Sequence, residues 1–153
     1  MTNAEKLQSL GLTLPPVAAP VGSYVPALRC GRQVVTSGQL PTREGKLLFT
    51  GKVPTDTAIE NAREAARVAV LNGLAAIAGV AGGIDAVERI IRLCVYVNSA
   101  PGFTEQPQVA NGASDLLAEV FGDRGRHARS AVGVAGLPLN ACVELEIQAE
   151  VKG

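Results

Sequence analysis

The last quarter of the chain constrains most strongly what it can fold into. Arg129-Ser130-Ala131-Val132-Gly133-Val134-Ala135-Gly136-Leu137-Pro138 leads into Val143-Glu144-Leu145-Glu146-Ile147. Two alternating stretches separated by a short Pro-containing segment predict two strands of a closing hairpin. In that pairing Val132 and Val134 share an apolar row with Val143, Leu145, Ile147 and Val151. The other row carries Arg129, Ala131, Gly133 and Ala135, then Cys142, Glu144, Glu146, Gln148 and Glu150. A polar face over a floor of very small residues leaves room for a ligand or a neighbouring subunit, and an arginine there suits a small carboxylate. With Gly136 opposite Ala141, Arg129 and Glu144 stand about 13 Å apart along the strands. That gap is too wide for one small substrate, so the expectation is that Arg129 of one subunit meets Glu144 of the next.

Upstream, hydrophobic periodicity separates strands from helices. Asn3 to Leu10 reads as a short amphipathic helix capped by Asn3 and stopped at Gly11, followed by an extended Pro15–Pro20 stretch. Tyr24–Cys30 and Gln33–Leu40 form a hairpin around Gly31-Arg32, and Leu47–Thr50 adds a small strand. From Asp56 to about Ala78, Ile59, Ala62, Ala66, Ala69, Gly73 and Ile77 follow helical spacing, with Glu60, Arg63, Glu64 and Arg67 opposite. Gly79 to Gly83 ends that helix. Val87–Asn98 is a β-branched strand, and Pro107–Phe121 is a second long helix closed by Gly122. The order is β-β-(β)-α-β-α-β-β, an α+β sandwich with two helices on one face of a mixed sheet.

Composition narrows the function classes. The 153 residues suit one domain, and 47% hydrophobic against 18% charged residues carries no disorder signature. Lys+Arg 14 against Asp+Glu 14 leaves no net charge to attract nucleic acid. No signal peptide and no apolar run of membrane-spanning length is read, which points to the cytoplasm and away from membranes. Cys30, Cys94 and Cys142 are far apart and accompany a single His, so buried free thiols are expected rather than a metal site.

Several segments together resemble the Rid family, the YjgF-type reactive-intermediate deaminases also called perchloric-acid-soluble or endoribonuclease L-PSP proteins. They are Tyr24-Val25, Thr36-Ser37-Gly38-Gln39-Leu40-Pro41, Asn111 opening the second helix, Arg129-Ser130-x-Val132, Leu137-Pro138 and Val143-Glu144-Leu145-Glu146. The likeness covers residues 22–151, which marks 1–21 as an N-terminal extension to a single domain over 22–153. It implies a chorismate-mutase-like fold, a homotrimer with sites in clefts between subunits, and no cofactor. It also implies hydrolysis of 2-imino or enamine acids to 2-keto acids and ammonia.

The residue chemistry fits that reading. Arg129 offers a planar fork for the substrate carboxylate, and Glu144 is placed to hold or activate the attacking water. The Gly38 N–H is a second carboxylate anchor, because glycine permits close approach. Tyr24 and Ser37 supply hydroxyls by family analogy. Ala131 stands where deaminating relatives often carry Cys, which enlarges the pocket. Asn111 completes the substrate-binding set, although it also reads as a helix-start residue, and Ser37-Gly38 as a strand bulge. His127 reads as a structural group. The alternative function is a non-catalytic binder or sensor of keto acids or other small carboxylates. Glu144 separates the two, since a carboxylate adds nothing to pure anion binding. Ribonuclease activity is disfavoured by the neutral charge and lone His.

Overall fold

Two periods of apolar repetition divide the chain into a sheet and the helices that cover it. A computed structural model describes residues 1–153. The elements run α1 (Asn3–Ser9), β1 (Ala27–Cys30), β2 (Gln33–Thr36), β3 (Thr42–Arg43), β4 (Lys46–Leu47), α2 (Ile59–Ala81), β5 (Val87–Asn98), α3 (Gln106–Phe121), β6 (Ala128–Val134) and β7 (Val143–Val151). Five strands form one mixed sheet in the order β1-β2-β7-β5-β6, and β3 and β4 pair separately. The α+β architecture, the β1–β2 hairpin and the bounds of β5 match the sequence expectation.

The closing hairpin does not form. β6 pairs in parallel with β5, which in turn pairs antiparallel with β7, so β5 separates the two strands expected to be neighbours. A β5–α3–β6 crossover explains the parallel pair. The chain then passes over the end of β5, where Asn98 holds it: its N–H donates to the Cys142 carbonyl at 2.9 Å and its Nδ2 to the Ala141 carbonyl at 3.1 Å. β7 drops in between β5 and β2.

This topology also reverses the expected faces of β6. Directly paired residues share a face. Leu93, Val95 and Val97 of β5 are fully buried and oppose Ile147, Leu145 and Val143 on one side and Arg129, Ala131 and Gly133 on the other. Arg129 therefore lies on the helix-covered face. Glu144 lies on the open face, in a row with Tyr96 and Val132. The expectation that Arg129 and Glu144 share a face is thus corrected.

The core is built from small and branched residues because aromatics are only 3% of the chain. Ala62, Ala66, Ala69, Gly73 and Ile77 of α2 are buried as expected. Ala65, Val70, Leu74 and Ala76 are buried too, because the flank of α2 is covered by α3. The helices cross tightly at Gly112, where a Cβ would collide with the Arg63 carbonyl oxygen. α2 runs through Gly79 and ends at Gly82, whose φ of 90° suits glycine. By length and composition α2 could cross a membrane, contrary to expectation, yet 61% of its apolar window is buried against the rest of the chain.

At the N-terminus Thr2, not Asn3, caps α1: its side chain accepts the Glu5 N–H at 3.1 Å, and the Glu5 carboxylate accepts the Thr2 N–H at 2.8 Å. Asn3 instead donates to the carbonyls of Ile84 and Val87, each at 3.0 Å, and accepts from Arg124 at 3.0 Å. Among the free thiols only Cys142 is buried, and burial pushes it up to about 11; Cys94 is half-buried and Cys30 exposed.

Two of the helical glycines, Gly112 and Gly79, separate close packing from helix propensity. Gly112→Ala is expected to cost about 1–3 kcal/mol by overpacking. At Gly79 a Cβ meets only Val17 Cγ2, at an ordinary 3.5 Å. Gly79→Ala should therefore stabilise by about 0.5–1 kcal/mol. Urea titration of the two variants checks both signs.

Candidate functional site

The sheet is interrupted where β2 leaves β7. Val35 faces Gln148, so an unbroken ladder would bring Gly38 opposite Leu145; Gln39 stands there instead. The extra residue makes a bulge at Thr36–Gly38. Thr36 compensates with its side-chain oxygen, which accepts the Ile147 N–H at 3.0 Å. Gln39 resumes the pairing by exchanging hydrogen bonds of 2.7 and 3.1 Å with Leu145. Ser37 turns back toward β1: its N–H donates to the Pro26 carbonyl at 2.8 Å and its hydroxyl to the Val25 carbonyl at 2.6 Å. The Gly38 N–H is left without a partner in the chain.

That unpaired N–H lies at the residue against which Glu144 packs. A Cβ built on Gly38 would sit 2.6 Å from Glu144 Oε2, so any larger residue here would displace the carboxylate from its present place. Burial pushes the Glu144 carboxyl above its ordinary range, and the Glu146 carboxylate adds to the shift. Glu146 is occupied by Tyr96, whose hydroxyl donates to it at 2.9 Å. Burial, then that hydrogen bond, push the Tyr96 phenol up to about 12.

Glu144, Gly38 and Tyr24 line one cavity of about 440 Å³, together with Gln39, Asn72 and the Pro15–Val21 segment. That volume suits a small-molecule ligand. The Tyr24 hydroxyl accepts the Val21 N–H at 3.1 Å, and Ser37 flanks the cavity without lining it. Asn72 is buried on α2 and donates to the Leu40 and Thr42 carbonyls at 3.0 and 2.9 Å, which holds the chain beyond the bulge. No Lys, Arg or His lines the cavity.

Arg129 sits across the sheet in a second cluster. Its Nη1 donates to Asn111 Oδ1 at 2.8 Å and Ser114 Oγ at 3.1 Å, both on α3. Asn111 is in the body of α3, not at its start, and its side chain holds the arginine. Ser114 Oγ is 2.9 Å from His127 Nε2, and His127 Nδ1 is 2.6 Å from the Gly125 carbonyl. A carbonyl can only accept, so Nδ1 carries a proton, and Nε2 pairs with the Ser114 hydroxyl. Both ring nitrogens of His127 are thus engaged, and Ser114 links the ring to Arg129. Arg129 forms no ion pair, and its Nε and Nη2 have no partner in the chain. Ala131 lies next along the same face and packs against the core.

The residues expected to form one site thus fall into two groups, Tyr24, Gly38 and Glu144 in the cavity and Arg129, Asn111 and Ala131 on the opposite face. Sequence reading missed Ser114, Asn72 and the cavity wall from Pro15 to Val21. The spacing of Asn111 and Ser114, which places both on one side of a helix, was the available signal for the first.

The raised pKa of Glu144 has a consequence for stability. The folded chain holds that proton more tightly than the unfolded chain, so stability is lost as pH rises from the ordinary carboxylate range of about 4.3 through the raised value. Glu144→Gln cannot ionise and should be more stable than wild type near neutral pH. The gain should vanish at about pH 4. Thermal melts at both pH values check this; an equal gain at both would place the effect in packing rather than charge.

Comparison with known proteins gives the family. The family model described as "YjgF/chorismate mutase-like, putative endoribonuclease" matches residues 4–151. Protein TCP17 of Trypanosoma cruzi is 44% identical over 149 residues, covering 97% of this chain and 93% of that protein. A crystal structure described as a putative endoribonuclease from Shewanella oneidensis superposes with a TM-score of 0.94 at 37% identity, covering 99% of this chain and 100% of the other. Escherichia coli TdcF with bound serine superposes with a TM-score of 0.64 at 25% identity, covering 92% and 94%. These matches extend over nearly the whole chain: it is a member of the YjgF/chorismate mutase-like family, the family of the Rid proteins its sequence resembles.

Proposed function

We propose that the protein hydrolyses small 2-imino or enamine acids to 2-keto acids and ammonia. The observation that carries this reading is Glu144, a half-buried carboxylate of raised pKa packed against a glycine whose N–H is unpaired, inside a cavity of ligand size. A carboxylate so placed can accept a proton from water as it attacks the C=N carbon. The Gly38 N–H is available to one oxygen of the substrate. Serine, bound by the similar TdcF, shares with a 2-imino acid a carboxylate and a nitrogen on the adjacent carbon.

The cavity lacks the cation that a carboxylate substrate needs, and Arg129 is a guanidinium without an anion. We infer that a second copy of the chain supplies Arg129 to this cavity, within a homotrimer. The open sheet face supports association, since Leu28, Val35 and Val132 project from it and stand 59, 42 and 46% exposed. In this arrangement Arg129 holds the carboxylate, Glu144 the water, and the imine nitrogen leaves as ammonia once the tetrahedral adduct collapses. RNA cleavage fits less well, because no cation faces the cavity and His127 is engaged by Gly125 and Ser114.

Release of ammonia from freshly generated 2-imino acids tests the reading. Glu144→Gln should lower kcat/KM by about 10²–10⁴-fold. Arg129→Ala should lower it by about 10–150-fold, the equivalent of one charge-assisted hydrogen-bonded pair. No acceleration by the wild type over the uncatalysed rate would leave the carboxylate-binding alternative.

Mixing the two impaired variants tests the sharing of sites between copies. After dissociation and random reassembly, about a quarter of the sites should combine an intact Arg129 with an intact Glu144. Recovered activity near that fraction is the expected outcome. No recovery, in mixtures shown to have exchanged subunits, would place both residues in the site of one copy.

A further inference from the structure

The wall formed by Pro15 to Val21 is the part of the cavity that the reaction does not use. Seven consecutive residues, Pro15-Pro16-Val17-Ala18-Ala19-Pro20-Val21, line it without contributing one charged or hydrogen-bonding side chain. The segment belongs to no helix or strand, yet it is tied at both ends. Before it, Leu7 is in the core, Leu12 and Leu14 pack against the core, and α1 is held by Asn3 and by Ala4, whose N–H donates to Asp85 at 2.8 Å. After it, the Val21 N–H is taken by the Tyr24 hydroxyl. Between these ties Val17 rests near Gly79 of α2. Three prolines restrict the backbone further, so the wall is formed before any ligand arrives.

Apolar surface is concentrated here. Val17, Val21, Tyr24 and Leu139 all line the cavity, and all four remain 43–67% exposed. An uncovered apolar lining around a polar corner marks a pocket for a ligand with one polar and one apolar end. The polar corner is Gly38 and Glu144. The remaining charge is Glu44, an exposed residue at the rim. An acidic side chain on the substrate would meet Glu44 and Glu144, while Arg129 of the second copy is taken up by the carboxylate common to every substrate. A basic one would find only a solvent-screened partner in Glu44.

We propose that the Pro15–Val21 segment is the specificity wall of the site and selects acids with an aliphatic side chain over those with a minimal or charged one. The proposal rests on the imine-hydrolase reading for the polar end of the ligand, while the wall itself stands on the cavity lining. Contact with the wall favours each additional buried methylene by about fourfold in kcat/KM. The leucine-derived imino acid, with three more side-chain carbons, should then exceed the alanine-derived one by up to about 60-fold.

The test uses the full chain and the double variant Val17→Ser/Val21→Ser, both positions being exposed enough to leave the fold intact. Thermal melting confirms that it does. Imino acids are generated from alanine, leucine, glutamate and lysine. In the variant the leucine-derived rate should fall about tenfold while the alanine-derived rate stays within about twofold. Equal losses on both, or a wild-type preference for the glutamate- or lysine-derived compound, would overturn the proposal. Binding is measured in parallel by calorimetry, with 4-methyl-2-oxopentanoate against pyruvate. If no imino acid is hydrolysed, the hydrolase reading fails alone, and the wall is then judged on binding. Tighter binding of the branched acid that is lost in the double variant supports it; equal binding of the two acids overturns it.

Discussion

Everything in this molecule depends on β7 lying between β2 and β5. Its residues alternate strictly between buried Val143, Leu145, Ile147, Ala149 and Val151 and half-buried Glu144, Glu146, Gln148 and Glu150. The first set is packed under α2, where Gly73 leaves room for Ile147. The second set faces the open side. A slip of one residue would bury the carboxylates and expose the aliphatic row, so the register is held by the whole core. That register sets the row of Glu144, and the bulge on β2 brings Gly38 to meet it.

Much of this was legible because element type is a local property. The 12 residues of β5 and the inner stripe of α2 follow from periodicity alone. Pairing is not local. The short Pro-containing link between β6 and β7 favours a hairpin on length, yet the Asn98 side chain holds that link over the end of β5. The face of β6 was equally hidden, because Ala131 and Gly133 are as compatible with burial as Val132 is with exposure. Val132 is in fact 46% exposed. The separation of Arg129 from Glu144 was expected along one face, whereas the structure sets them on opposite faces. On Asn111 the sequence showed the residue but not its partner, since the contact with Arg129 joins a helix to a strand beneath it.

The two-sided arrangement has an electrostatic logic. An arginine beside Glu144 in the same chain would favour its charged form and lower its pKa. Here the charge that acts on Glu144 is another carboxylate, Glu146, and it works together with burial in the opposite direction. Arg129 meanwhile is held only by neutral acceptors, Asn111 and Ser114, so its charge is oriented without being neutralised. Each group is therefore preorganised but unspent. Under the proposed assembly the two meet around the substrate, whose carboxylate lies between them. Because hydrolysis of an imine is intrinsically easy, positioning the acid and one water supplies much of what the reaction requires.

The segment from Pro15 to Val21 adds a different kind of constraint. A stretch without helix or strand orders its backbone at an entropic cost of about 1–2 kcal/mol per residue, and little of that is recovered when Val17 and Val21 stay exposed. Prolines reduce the cost by restricting the unfolded chain as well. The ties at Leu7, Asn3 and Tyr24 hold the ends, but none of them requires the intervening residues to be uniformly small and apolar. Solvent alone would favour polar side chains there. An apolar composition facing a cavity whose other wall carries Glu144 is accounted for by a ligand that brings its own apolar surface.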